Sequence, residues 1–387
     1  MAFTHYTVKK IVHGNGSIRQ VAAEVKNLKG SRVLIVTDPG LAKLGVQKPL
    51  EDALTEGGIA WELFAKAELE PSMDSIQACS DAARDCGADV LIGFGGGSAL
   101  DTTKAASVLL SNEGPIDRYF GMNLVPNPTM PKILIPTTAG TGSEMTNISV
   151  LADTKNGGKK GVVSEYMYAD VVLLDASLTV GLPPRVTAMT GVDAFVHAME
   201  SYCGIAATPI TDALDLAAMK LVGENIRQAY ANGSNLAARD AMLYGSALAG
   251  MGFGNTQNGI IHAVGTTLPV ECHIPHGLAI AICSPFSVGF NYISNPEKYA
   301  VVADILRGDD RTGVMSVLER AADVEGAFRD LLRDLDIKTG LKNYGVKKED
   351  LPASADRAFA AKRLLDNNPR KASRDQILAL LEANFDE

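Results

Sequence analysis

Asp89–Leu100, DVLIGFGGGSAL, passes within one short stretch from strand to glycine turn to helix, and the fold is read outward from it. Asp89–Phe94 (DVLIGF) is a strand, mostly apolar as in a buried parallel sheet. Gly95-Gly96-Gly97 ends it, and Ser98 is placed to cap a helix running through Lys104 to about Leu110. Upstream, Ser75–Cys86 has helical spacing, with Ile76, Cys79, Ala83 and Cys86 on one face and Gly87 where a C-cap glycine sits. Arg32–Thr37 (RVLIVT) is a second strand, closed by the turn signal Asp38-Pro39-Gly40. Downstream, Lys132–Ile135 is a strand cut by Pro136, and Val171–Leu174 is another. Strands alternating with helices predict an α/β domain with a doubly wound parallel sheet.

The second half changes character. From about Val186 onward alanine, leucine and methionine rise and β-branched runs become rare. Thr211–Gln228, Asn235–Gly250, Thr312–Leu335 and Ser373–Ala383 read as helices. Leu182-Pro183-Pro184 continues neither element, so the boundary falls there. The reading is an α/β domain over residues 1–184 and an all-helical domain over 185–387, in line with a 387-residue chain and about 150 residues per domain.

Composition narrows the class. Hydrophobic residues are 46% and charged residues 21%, as in globular proteins. The net charge of −9 and the lack of a basic patch argue against a nucleic-acid partner. No apolar run is long enough for a membrane span. MAFTHYTVKK has no apolar signal core, and the five cysteines (79, 86, 203, 272 and 283) show no CxxC spacing. A cytoplasmic protein with reduced thiols is expected.

Two loops point to a nucleotide. Gly95–Ser98 lets backbone approach an anion, and the following helix N-terminus offers free N–H groups. Its spacing matches neither a P-loop nor GxGxxG, and a tight turn without a ligand is the alternative. Pro136–Glu144 (PTTAGTGSE) adds hydroxyls and flexible backbone after a second strand. Two such loops in one α/β domain favour a nucleotide at the strands' carboxyl ends. Asp38 ends the Arg32–Thr37 strand. There it either accepts from ribose hydroxyls or closes an Asx turn before Pro39-Gly40.

Four of the six histidines lie between residues 197 and 276. Asp193 and His197, four apart, share one face of a helix and can grip one ion. With His262 and His276 they make a carboxylate and three imidazoles, a set suited to Fe²⁺, Zn²⁺ or a similar ion. His5 and His13 read as structural. His273, three residues before His276, is either substrate-facing or structural.

These residues also form recognisable motifs. Gly95–Lys104 reads GGGSxxDxxK, Pro136–Glu144 reads PTTAGTGSE, Leu182–Glu200 reads LPPxxTAxTGxDAxxHAxE, and His273–Gly277 reads HxPHG. Over roughly residues 10 to 385 the chain resembles the iron-containing (group III) alcohol dehydrogenases. The resemblance implies an N-terminal dinucleotide-binding domain and a helical metal-binding domain with the site in the cleft between them. It implies a homodimer that moves hydride between NAD and a primary alcohol, diol or aldehyde. It assigns metal binding to Asp193, His197, His262 and His276. NAD contacts fall to Asp38, Gly96, Gly97, Ser98, Asp101, Thr137, Thr138, Thr141 and Lys160.

One position departs from the pattern. Many members place a histidine four residues after the third ligand, as proton relay. Here Thr266 stands there, followed by Thr267, so Thr266 and His273 become the candidates for the proton path. A threonine there also leaves a roomier pocket, open to polar or branched substrates. The alternative from another class is a dehydroquinate-synthase-like lyase, which also uses NAD and an ion. Against it, the chain lacks the crowd of Lys and Arg that a phosphorylated polyanion needs.

Overall fold

The computed structural model describes residues 3–155 and 158–387. It divides into two compact units, Thr4–Gly181 and Leu182–Glu387, the latter with Phe3.

The first unit is built on six parallel strands. Their order is Ile11–His13, Val171–Leu174, Lys132–Pro136, Val90–Gly95, Arg32–Val36 and Ala60–Phe64. Alternate side chains leave a strand on opposite faces. Val33, Ile35, Val90, Ile92 and Ile133 therefore enter one core with Val21, Val25, Leu50 and Leu54 of two flanking helices. Leu34, Val36 and Leu91 enter the other, against Cys79, Ala83 and Cys86. The sheet is doubly wound, as its mainly apolar central strands require. The two outer strands, Ile11–His13 and Ala60–Phe64, escape the sequence reading because they are largely exposed.

Strand order reverses at one place. The chain runs from Arg32–Val36 outward to Ala60–Phe64, then returns on the other side to Val90–Gly95. Ligands of open α/β sheets bind in the crevice at such a reversal. Here it lies between Asp38 and the Gly95–Gly97 turn.

The predicted helix over Ser75–Cys86 is observed as Met73–Cys86. Ser72 caps it by accepting from the Ser75 amide at 3.1 Å, and Gly87 ends it at φ 67°. The helix after the glycines, Gly97–Ser111, corrects the reading of Ser98. Its N-cap is Gly96, in extended backbone, and among the described residues no side chain caps it. Ser98 lies inside the first turn, where its hydroxyl donates to the Leu69 carbonyl at 2.5 Å. A small second sheet, Gly121–Met122, Lys159–Val163 and Ile148–Ala152, completes the unit.

The second unit is helical. Pro184–Cys203, Pro209–Ala231 and Leu236–Thr256 are its long elements, followed by Ile260–Gly265, His276–Asn291 and Pro296–Arg307. The helix expected over Thr312–Leu335 is instead two, Val317–Ala322 and Val324–Asp334. Its late start has a local cause. Ser316 accepts from the Glu319 amide while Glu319 accepts from the Ser316 amide, a capping box that fixes the first turn at Val317. His276–Ser294 is long and apolar enough to cross a membrane by length and composition. Most of it is buried within the protein, as in a core helix. All five cysteines are free thiols.

Candidate active site

Pro184–Cys203 opens with proline at a first-turn position and carries Asp193 and His197 one turn apart on a buried face. The short helix Ile260–Gly265 brings in His262, and His276 begins the next long helix. Gly277 makes that last approach feasible, since a Cβ there would lie 2.6 Å from the Met189 carbonyl oxygen.

The four side chains converge. One ligand atom from each of Asp193, His197, His262 and His276 lies within 4.8 Å of all the others. Asp193 Oδ1 is the hub, 3.6 Å from Nε2 of His262 and of His276 and 3.9 Å from Nε2 of His197. Metal–ligand bonds of roughly 2.1 Å set donors on one ion about 3–4 Å apart, so the set fits a divalent cation. Asp193 Oδ1 and His262 Nε2 are buried without a hydrogen-bond partner among the described residues, which an ion between them would resolve. Burial would raise the Asp193 carboxyl, but His197, His276 and His262 hold it well below the usual carboxylate range. Burial would likewise lower the His262 imidazole, yet the Glu200 and Asp193 carboxylates lift it to about 9.

The rings are braced on one side and open on the other. His197 stacks between Phe253, with centroids 4.2 Å apart, and His262, at 4.6 Å. The His276 side chain is 42% exposed, against 6% or less for the other three, so the cluster opens past His276.

Thr266 and Thr267 follow His262, and both hydroxyls donate to backbone. Thr266 gives its proton to the His262 carbonyl at 2.7 Å, and Thr267 to those of Val264 and Ala263. His273 is exposed, in left-handed backbone at φ 48°, and is not among the four clustered side chains.

In the α/β unit the two loops pack against each other. A Cβ on Gly97 would lie 2.8 Å from Thr141, and Gly96 faces Thr138. The buried Thr137 donates its amide to the Gly95 carbonyl at 3.0 Å. Asp38 caps the helix Pro39–Leu44, as an Asx-type turn would, with Oδ1 accepting from Gly40 and Leu41 amides at 2.8 and 3.0 Å. Its other oxygen points toward Gly95, 3.8 Å from where a Cβ would be. Asp101 is already engaged. Its carboxylate accepts from Ser143 Oγ at 2.5 Å and from the Val150 amide at 2.8 Å, and Lys104 Nζ lies 3.0 Å away. Lys159 pairs with Glu70 at 2.8 Å, while Lys160, next on the strand, projects to the opposite face.

Residues 8–176 match the family model described as iron-containing alcohol dehydrogenase, and residues 187–385 match that of the C-terminal part of the same family. The chain belongs to the iron-containing alcohol dehydrogenase family. This alcohol dehydrogenase is 84% identical over 386 residues to a sulfoacetaldehyde reductase of Bilophila wadsworthia, with each chain fully covered. It is 36% identical to a 1,3-propanediol dehydrogenase of Klebsiella pneumoniae, over 96% of each chain. Among solved structures it superposes on a 1,3-propanediol oxidoreductase with a TM-score of 0.96 at 35% identity, with both chains fully covered. It also superposes on the sulfoacetaldehyde reductase of Bifidobacterium kashiwanohense, solved with NAD⁺, with a TM-score of 0.88 at 28% identity over 99% of each chain.

The alcohol dehydrogenase is thus a metal-dependent, NAD-linked oxidoreductase of alcohols and aldehydes, and the lyase alternative is not favoured. Three residues near the candidate sites went unassigned in the sequence. Glu200 touches His262, and Phe253 stacks on His197. The fully buried Lys104 donates to the Ser143 and Ile148 carbonyls. Glu200 had a signal: it is seven residues after Asp193, on the same helical face.

Proposed function

We propose that this enzyme reduces sulfoacetaldehyde, a two-carbon aldehyde bearing a sulfonate, with NADH. The observation that carries this is the end-to-end 84% identity to the Bilophila wadsworthia reductase. Thr266, smaller than histidine and exposed, supports room for a polar head beside the reacting carbon.

In this reading Asp193, His197, His262 and His276 hold Fe²⁺, with Zn²⁺ also suited to the set. A divalent ion so held supplies Lewis acidity toward a carbonyl or hydroxyl oxygen, and NAD supplies the hydride chemistry. The chain's own residues orient and exclude. Burial keeps Asp193, His197 and His262 away from water, and the open side at His276 admits the substrate. The Gly96-Gly97-Ser98 turn receives the pyrophosphate at a helix N-terminus with no side-chain cap. Thr137, Thr138 and Thr141 line the second loop, the free oxygen of Asp38 takes ribose hydroxyls, and Lys160 reaches the cofactor from its strand. Asp101 acts through Ser143, keeping the second loop against the glycine turn. Thr266 relays a proton to water, with His273 as second candidate. Residues 1–184 form the NAD-binding domain and 185–387 the metal-binding domain of a cytoplasmic homodimer.

The test is NADH oxidation by iron-loaded enzyme with sulfoacetaldehyde, acetaldehyde, 3-hydroxypropanal and longer aldehydes. We expect kcat/KM for sulfoacetaldehyde to exceed that for acetaldehyde by at least about 10²-fold. Equal or better turnover of acetaldehyde or 3-hydroxypropanal overturns the substrate.

A further inference from the structure

The buried Glu200 lies beside the candidate metal centre without belonging to it. Oε2 is 2.6 Å from His262 Nδ1, and Oε1 accepts from the Ile261 amide at 2.7 Å. Glu200 thus meets the helix Ile260–Gly265 at its start, on the side of the His262 ring away from Asp193. Gly259 makes room for it: a Cβ there would lie 3.1 Å from Oε1 and 3.0 Å from Asn368 Oδ1.

We propose that Glu200 is a positioning residue that fixes the tautomer of His262 and thereby sets the metal affinity of the centre. An ionised carboxylate can only accept, so the proton must sit on Nδ1. Nε2, 3.6 Å from Asp193 Oδ1 and without a hydrogen-bond partner among the described residues, is then the nitrogen that gives up its proton and offers its lone pair when a cation binds. A carboxylate behind a ligating imidazole also increases its donor strength. One helical face therefore supplies two ligands, Asp193 and His197, and the brace for a third.

The two donors facing Glu200 make glutamine a diagnostic replacement. Its one carbonyl oxygen can serve either the Ile261 amide or His262 Nδ1. If it serves Ile261, the NH₂ group faces Nδ1 and drives the proton to Nε2, which blocks the lone pair. If it serves Nδ1, two donors confront each other at Ile261. A carboxylate alone satisfies both.

The inference rests on the four-residue centre proposed above, and the experiment separates the two. Apo protein is titrated with Zn²⁺ against a competing chelator, and the Co²⁺-loaded form is examined for its visible d–d bands. Glu200→Gln should weaken Zn²⁺ binding by about 10–100-fold and shift the Co²⁺ bands, while NAD affinity stays at the wild-type value. His262→Ala is the control. If it binds Zn²⁺ as wild type does, the centre is wrongly assigned. If it loses Zn²⁺ while Glu200→Gln stays within about threefold of wild type, this inference alone falls. Should Glu200→Gln fail to fold, Glu200→Asp is read instead. Its shorter stem draws the carboxylate off Nδ1, and unchanged Zn²⁺ affinity and Co²⁺ bands there overturn the proposal equally.

Discussion

Gly277 approaches Met189 so closely that a Cβ on Gly277 would lie 2.6 Å from the Met189 carbonyl oxygen and 3.0 Å from its carbonyl carbon. The obstacle is backbone of the helix carrying Asp193 and His197, so it cannot swing aside as a side chain would. Gly277→Ala should push His276 away from Asp193. We expect a loss of bound iron and a fall in kcat of about 10²-fold with the helical circular dichroism unchanged. Metal content at the wild-type level would show that the helix start is free to move.

His276 is also the exposed member of the cluster, which makes it the clean ligand to remove. His276→Ala leaves little new buried void, so its cost should fall on metal and turnover rather than on folding. Most of the bound metal and of kcat should go. Chelation of the wild type should do the same, with recovery on adding Fe²⁺ or Zn²⁺. Full turnover by protein shown to be metal-free would refute metal dependence.

Asp38 has one oxygen committed to the helix Pro39–Leu44 and one turned toward the glycine turn. A carboxylate facing the ribose repels a 2′-phosphate, so the wild type should prefer NAD. Asp38→Gly should narrow or invert that preference in kcat/KM. Losing the cap costs only a few tenths of a kcal/mol when glycine replaces it. A wild type that already prefers NADP would remove Asp38 from this role.

The hydroxyl proton of Thr266 is held by the His262 carbonyl, so this threonine can pass a proton only by letting go of that bond. Thr266→Ala should therefore lower kcat by no more than about fivefold, with water taking over. His273→Ala should cost about 10²-fold, and lose one limb of the pH–rate profile, only if His273 is the relay. A loss for Thr266→Ala as large as for a metal ligand would defeat the water path. An unaltered profile for His273→Ala would exclude that residue.

Glu144 is fully buried beside the Lys104 charge, and burial lifts its carboxyl from 4.5 to about 7. A carboxyl raised in the folded state binds its proton more tightly there than in the unfolded chain. Its ionisation therefore disfavours folding progressively as pH rises from the unfolded value through the folded one. Between about pH 5 and about pH 8, Glu144→Gln should gain roughly 2–3 kcal/mol on the wild type in urea unfolding. A difference between the two proteins that does not change with pH would contradict a buried titrating carboxyl.

What the sequence disclosed and withheld has physical reasons. Central strands such as Val33–Val36 and Val90–Gly95 are covered on both faces, so they are apolar throughout and plain to read. Ala60–Phe64 lies at the sheet edge, where water replaces a neighbour and a glutamate is tolerated, so no pattern marks it. Asp193 and His197 show themselves by spacing on one helix. That His262 and His276 join them comes from chemistry and motif, since no local rule links residues 65 and 79 positions further on. Asp101 shows the limit of motif reading. Its place in GGGSxxDxxK suggests a cofactor contact, and the motif does not disclose that each of its oxygens also accepts a hydrogen bond from within the protein.

Lys104 has a wider consequence. It is completely buried, and its ammonium gathers the Ser143 carbonyl, the Thr146 hydroxyl and the Ile148 carbonyl around itself. Burial lowers its pKa, and Asp101 opposes that shift. A charge so enclosed cannot release its partners without stranding itself. The loop over residues 143–148 is thus set when the chain folds, not when a ligand arrives. A dehydrogenase exchanges oxidised for reduced nucleotide in every cycle. An ordering cost of about 0.5–1.5 kcal/mol for each side chain immobilised at that loop would recur each time. With the loop shaped in advance, that entropy is lost once per molecule instead of once per turnover.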